Sequence, residues 1–148
     1  MTAVDVARKY VGVKSDDPRV LKWLSDVGID RYDSWCAAFV YACFKEAYGS
    51  KNPIPKTASA LNVYGKSAPA KRVQDPQAGY VYVIYRGNGH GHVGVVESIE
   101  PGDAGDVVVT EISGNSTAGA VARHRWSLAT ARASGIHEGK LMAFLVEP

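Results

Sequence analysis

Two cysteines in 148 residues are too few for a disulfide framework. None is required, because a chain of this length buries roughly 68–70% of its unfolded surface and can hold a core without staples. Long apolar runs are also missing. The longest, Tyr80-Val81-Tyr82-Val83-Ile84-Tyr85, falls far short of the ~20 residues a membrane-crossing helix needs. The opening Met1-Thr2-Ala3-Val4-Asp5 lacks a basic region followed by an apolar core, so no secretory leader is predicted and synthesis in the cytosol is expected. Internal repeats and low-complexity tracts are absent as well, which excludes solenoids and linker-like chains.

Charge of one sign is scarce too: 17 basic against 15 acidic side chains give +2. That excess is too small to imply nucleic acid, and no nucleic-acid partner or stable membrane association is predicted. Its distribution is less even. Lys51, Lys56, Lys66, Lys71 and Arg72 precede the next acid at Asp75, and Arg123, Arg125 and Arg132 lack acidic neighbours in the chain. These read as solvated faces, or as attraction to an anionic polymer.

What the chain does contain is two halves of different period within 1–148, read as one domain. Up to about residue 66 the apolar residues follow helical spacing. Thr2 caps a first helix that stops at Gly12; Asp17-Pro18 opens a second that runs to Gly28. A third helix begins after Asp33-Ser34 and runs to Gly49, and a short fourth spans Thr57 to Tyr64. From Gly79 the pattern changes to the strands Tyr80–Tyr85, His92–Ile99, Val107–Ile112 and Leu141–Val146. Pro101-Gly102-Asp103 is a hairpin turn, which makes the strands on either side antiparallel neighbours. Helices followed by strands, without alternation, predict an α+β fold. Residues 121–135 fit no firm pattern.

Three segments carry candidate chemistry. Ser34 is a good N-cap, which places Trp35 and Cys36 in the first turn of the third helix, where unpaired N–H groups and the macrodipole favour an anion such as a thiolate. The alternative for any free cysteine is burial in the core, and Cys43, mid-helix beside Phe39, Phe44 and Ala47, is read that way. Seven helical residues, roughly 10 Å, separate the two, too far for a disulfide. The second segment, Gly87-Asn88-Gly89-His90-Gly91-His92-Val93-Gly94-Val95-Val96, delivers a histidine at a strand start, with His92, Gly94 and Val96 on one face. The third, Val107 to Asn115, projects Glu111, Ser113 and Asn115 to one face, where a polar group can orient the imidazole or simply end the strand in water.

Trp35-Cys36-Ala37-Ala38-Phe39-Val40, then Gly91-His92-Val93-Gly94-Val95-Val96, then Ser113-Gly114-Asn115 resemble the CHAP and NlpC-type branch of papain-like cysteine peptidases and amidases, especially its small phage-encoded enzymes. The resemblance implies a papain-like arrangement, with N-terminal helices packed on a C-terminal antiparallel sheet. It implies a monomeric endolysin-like enzyme that reaches the bacterial cell wall, takes the peptide stem of peptidoglycan as its partner and hydrolyses an amide bond there, either between muramic acid and L-alanine or within the stem. Cys36 would be the nucleophile, His92 the general base and acid, and Asn115 the orienter, with Glu111 as runner-up. Many CHAP enzymes place glutamate two residues before the asparagine, where this chain has Ser113. Trp35 and Tyr82 are read as walls of an aromatic cleft with Asn88 on its rim; the other reading of these three is core and turn.

No cofactor and no metal are predicted. A metal site at His90 and His92, with His124 and His137 as further ligands, matches no zinc motif, and Asp26, Asp30 and Asp33 do not match calcium-loop spacing. Two other functions compete with the cysteine hydrolase: a wall-binding module without catalysis, and a metal-dependent hydrolase. An interbacterial amidase toxin would share the cysteine chemistry.

Overall fold

The structure, a computed structural model, describes residues 1–146. Four helices come first: α1 (Ala3–Tyr10), α2 (Pro18–Asp26), α3 (Cys36–Tyr48) and α4 (Ala60–Gly65). Thr2 and Asp5 form a capping box on α1, and Asp17 caps α2 with proline in the first turn, as the sequence predicts. The strands are β1 (Arg72–Val73), β2 (Val81–Gly87), β3 (His90–Pro101), β4 (Val107–Ser113), β5 (Ala122–Ser127) and β6 (Lys140–Leu145), with helix α5 (Leu128–Ser134) before the last. They form one sheet in the order β1-β6-β2-β3-β4-β5, antiparallel throughout. The fold is α+β with N-terminal helices packed on an antiparallel sheet, as expected.

Helix α3 is apolar nearly all round because it is buried on several sides. Phe39 meets Trp23 of α2, and the helix packs on β3 and β4, in one core with Val93, Val95 and Ile112. The second sheet face is covered too. Tyr82, Ile84, Val96, Val109 and Phe144 form a separate cluster with Leu128 and, partly buried, Trp126 and Ile136. Burial on both faces explains why β2 reads Val-Tyr-Val-Ile without apolar–polar alternation.

Residues 121–135, which the sequence did not place, become edge strand β5 and helix α5. The arginines lacking acidic neighbours in the chain find them in space: Arg123 pairs with Glu97, Arg125 with Glu100 and Arg132 with Asp75. Glu97 sits where the β3–β4 register slips, and it also accepts from Arg8 of α1 at 2.7 Å, tying the first helix to the interior strand β3.

Candidate active site

The third helix begins one residue later than a Ser34 cap would start it. Trp35 is the residue that caps α3, without any side-chain hydrogen bond. This corrects the expected role of Ser34, whose Oγ instead accepts from the Asn115 amide at 3.2 Å. With no side-chain cap, the first N–H groups of α3 remain available to an anion. Cys36, the first helical residue, takes advantage of this: the backbone N–H groups of Val93 from β3, of Ala37 and of Cys36 itself favour its thiolate.

Val93 reaches the sulfur because the sheet opens there. The β3–β4 ladder ends at Val95 opposite Ile112, so β3 is unpaired toward β4 beyond that point. The start of α3 abuts this gap: a Cβ on Gly114 would meet the Trp35 ring at 2.7 Å and Phe39 at 2.8 Å. Burial pushes the Cys36 thiol above its ordinary range, and the three N–H groups and the Arg86 charge oppose that push. Cys43 has no such relief and is raised well above its ordinary value by burial. It lies in the core, where the sequence put it.

His92 is the residue before Val93, and by strand alternation its ring lies opposite the Val93 side chain, among Tyr82, which also feels the Cys36 charge, and His137, at ring separations of 6.2 and 5.6 Å. It is buried, and burial, followed by the charge of Arg86, lowers its pKa to about 3, so the imidazole is neutral at pH 7. Its Nε2 has no hydrogen-bond partner, and among the described residues no hydrogen bond joins it to Cys36. His90, the first residue of β3, is exposed and does not share the buried environment of His92.

Neither candidate orienter bonds to His92. Asn115, in the left-handed region at φ 52°, directs its amide to Ser34. Glu111 is fully buried, and its Oε2 takes the Tyr82 hydroxyl at 2.6 Å and the Trp126 indole N–H at 3.2 Å, with His137 Nε2 at 2.6 Å. Glu111 Oε1 and Ser113 Oγ are buried without partners, like His92 Nε2. Register explains the grouping. Val96 lies opposite Glu111, so His92, Gly94 and Glu111 share one face. Bare Gly94 between them admits the Tyr82 ring; a Cβ there would lie 2.6 Å from it.

Trp35 and Tyr82 do not form cleft walls. Both are 0% exposed, Trp35 tilted against Trp23 and Tyr82 bonded to Glu111, because each ring has an apolar or hydrogen-bonded seat in the interior. Asn88 is exposed in the β2–β3 hairpin, where Asn88 and Gly89 both have positive φ, as a two-residue turn with right-handed twist requires. It lies in the turn beyond His90, which is two strand steps, roughly 7 Å, from His92.

Two groups at the site were not read from the sequence as part of it. His137, which the sequence offered only as a metal ligand, comes from the turn before β6 and packs on both His92 and His124. Arg86 follows the apolar run of β2 directly, and its Nε donates to the His137 carbonyl at 2.7 Å. Among the described residues no group of three or more His, Cys, Asp or Glu side chains is arranged to hold a metal. His124 Nε2 is engaged by Ser116 and His137 Nε2 by Glu111. Asp26 pairs with Lys22 and Lys45, and Asp33 accepts from the Ser34 N–H.

No curated protein matches the chain. The family model of the CHAP domain matches residues 28–115, a stretch that begins just before α3 and ends on Asn115. It contains the helix-start cysteine, the strand-start histidine and the β3–β4 gap between them, and since it covers more than half of the sequence the chain belongs to the CHAP domain family.

Proposed function

We propose that the protein hydrolyses an amide bond of bacterial peptidoglycan through a Cys36 thiolate, with His92 as base and acid. CHAP domains are in general amidases and peptidases. The observation that carries the reading is the seat of Cys36: a thiol at an uncapped helix start, on the Val93 N–H, one residue along β3 from a neutral, unpartnered imidazole.

In this reaction His92 removes the thiol proton and the sulfur bonds to the amide carbonyl carbon. The carbonyl oxygen gains the charge, and N–H groups at the start of α3 are the donors that face it. His92 returns the proton to the leaving nitrogen as the C–N bond breaks, which leaves a thioester on Cys36. Water then attacks the thioester, giving its proton to His92; a carboxylate leaves and the thiol is restored.

Asn115 acts in this scheme as the orienter that must turn from Ser34 to reach His92, and Glu111 as the hub that fixes the surrounding rings. Asn88 stands at the rim of the substrate path. The chain acts as one catalytic unit over 1–148, as a monomer on the peptide stem in the cell wall. Its closest functional type is the phage endolysin, on the strength of the Trp35–Val40 and Gly91–Val96 runs. The test is mass spectrometry of purified peptidoglycan after incubation: new amine and carboxyl termini should appear with the wild type and be absent with Cys36→Ala. Unchanged peptidoglycan in both would refute the hydrolase reading.

A further inference from the structure

Arg86 differs from the other arginines. Of the eight in the sequence, six are ion-paired with carboxylates. Arg72 stacks on the Tyr64 ring and donates to carbonyls at the end of α4. Arg86 has no carboxylate among the described residues; its Nε is held by the His137 carbonyl and the rest of the guanidinium is left for another partner.

The seat is built, since Arg86 falls where the β2–β3 register slips, between Tyr85 opposite Gly91 and Gly87 opposite His90. Ile136 and Gly139 bridge across a turn whose His137 and Glu138 both have positive φ, and this turn presents the carbonyl that Arg86 uses. Gly139 leaves the space for the arginine stem: a Cβ there would meet Arg86 Cγ at 2.9 Å. The same turn carries the His137 ring, 5.6 Å from that of His92.

We propose that Arg86 is a specificity-determining residue that binds a free carboxylate of the substrate beside the amide to be cut. This rests on the hydrolase reading above and names the chemistry of its substrate, an anionic peptide stem. An unpaired cation beside a base that must accept a proton is unfavourable in the resting enzyme. Its charge opposes protonation of His92 and favours the Cys36 thiolate. A substrate carboxylate on the guanidinium neutralises that charge when the substrate is in place, and His92 becomes the stronger base at the moment the proton must move. The planar fork of arginine suits a carboxylate in two-point contact.

The experiment compares wild type, Arg86→Gln and Arg86→Lys on purified peptidoglycan, either native or with its free carboxyl groups converted to amides by carbodiimide and ammonium. The rate of appearance of new amine termini is the readout. The wild type is expected to be slower on amidated walls by roughly ten- to hundredfold, the size of a lost charged hydrogen-bonding contact. Arg86→Gln should be about as slow on native walls and indifferent to amidation, with Arg86→Lys between. Equal losses for Arg86→Gln on both walls, or a wild type indifferent to amidation, would overturn the proposal while leaving the hydrolase intact. A wild type that cuts neither wall overturns the hydrolase reading and this one with it. The wild-type ratio between the two walls decides the matter even if the variants fold poorly.

Discussion

Asn115 Nδ2 donates to Ser34 Oγ across 3.2 Å, joining the end of the β4 segment to the residue that precedes the Trp35 cap of α3. The bond holds two sides of the Cys36 seat together and fixes, through Nδ2, the direction of the amide whose Oδ1 would accept the His92 ring N–H. Ser34→Ala should therefore free the amide. We expect it to leave the rate of wall hydrolysis unchanged or raise it, whereas Asn115→Ala lowers the rate and retains some activity, because an orienting group improves geometry without forming or breaking a bond. Clearance of purified walls by the two variants, each checked for folding by circular dichroism, tests the pair.

Glu111 gives the opposite kind of effect. Taking its carboxylate away strands the Tyr82 hydroxyl and the Trp126 indole N–H and removes the partner of His137. At roughly 1–3 kcal/mol per buried group left unpaired, Glu111→Ala should destabilise the fold by at least about 3 kcal/mol in urea unfolding. The position in β4 alone suggests a milder role; the three partners make it a structural hub. A loss below about 1 kcal/mol would contradict that assignment.

His92 makes stability depend on pH. Folded, the imidazole stays neutral down to about pH 3, while the unfolded chain takes up the proton near 6.5. Between those values the unfolded state binds more protons, so stability falls as pH falls. His92→Gln removes this contribution. From pH 6 to pH 4 the wild type should lose about 2–3 kcal/mol more than the variant, at about 1.4 kcal/mol per pH unit. Parallel denaturant titrations at the two pH values measure the difference, and equal losses would contradict it.

The two cysteines should separate cleanly. Cys36→Ser should abolish wall hydrolysis with folding intact, since serine does not ionise at this seat. Cys43→Ser should keep the activity and lose about 1–3 kcal/mol, because it puts a hydroxyl into the α3 core. Iodoacetamide should inactivate the wild type where EDTA does not. Activity surviving in Cys36→Ser would move the nucleophile elsewhere.

Gly94→Ala should be costly although a strand accepts alanine. The added carbon would lie 2.6 Å from a Tyr82 ring whose hydroxyl is fixed on Glu111. We expect about 1–3 kcal/mol of destabilisation in urea unfolding and a reduced rate of wall hydrolysis through displaced His92 neighbours.

Much of this arrangement was legible in the chain. Capping residues and apolar period set α1 and α2, apolar period without its expected cap set α3, and the Pro101-Gly102-Asp103 turn set the β3–β4 pairing. Cys36 and His92 stand out in the sequence because each sits in a local pattern, a helix start and a glycine-flanked strand. β5 escaped because its exposed arginines pair across strands and suppress any apolar period. Arg86 and His137 escaped because the register slip in β2 and the turn before β6 bring them to His92 only in the folded chain. The one local hint was a lone cation between the run Tyr80–Tyr85 and the Gly87-Asn88-Gly89 turn.

The sheet ends on β1, two residues long, and on β5, where Arg123 and Arg125 are exposed on either side of His124 and each is ion-paired with a glutamate of β3. A second molecule adding to the β5 edge would have to dock against this charged, ion-paired strand, and a charged edge is a poor template for further pairing. At the other end, a two-residue strand offers too few backbone groups to template a neighbour. Concentrated solutions should therefore resist edge-to-edge fibril nucleation, and salt, by screening the arginines, is the condition under which that protection weakens.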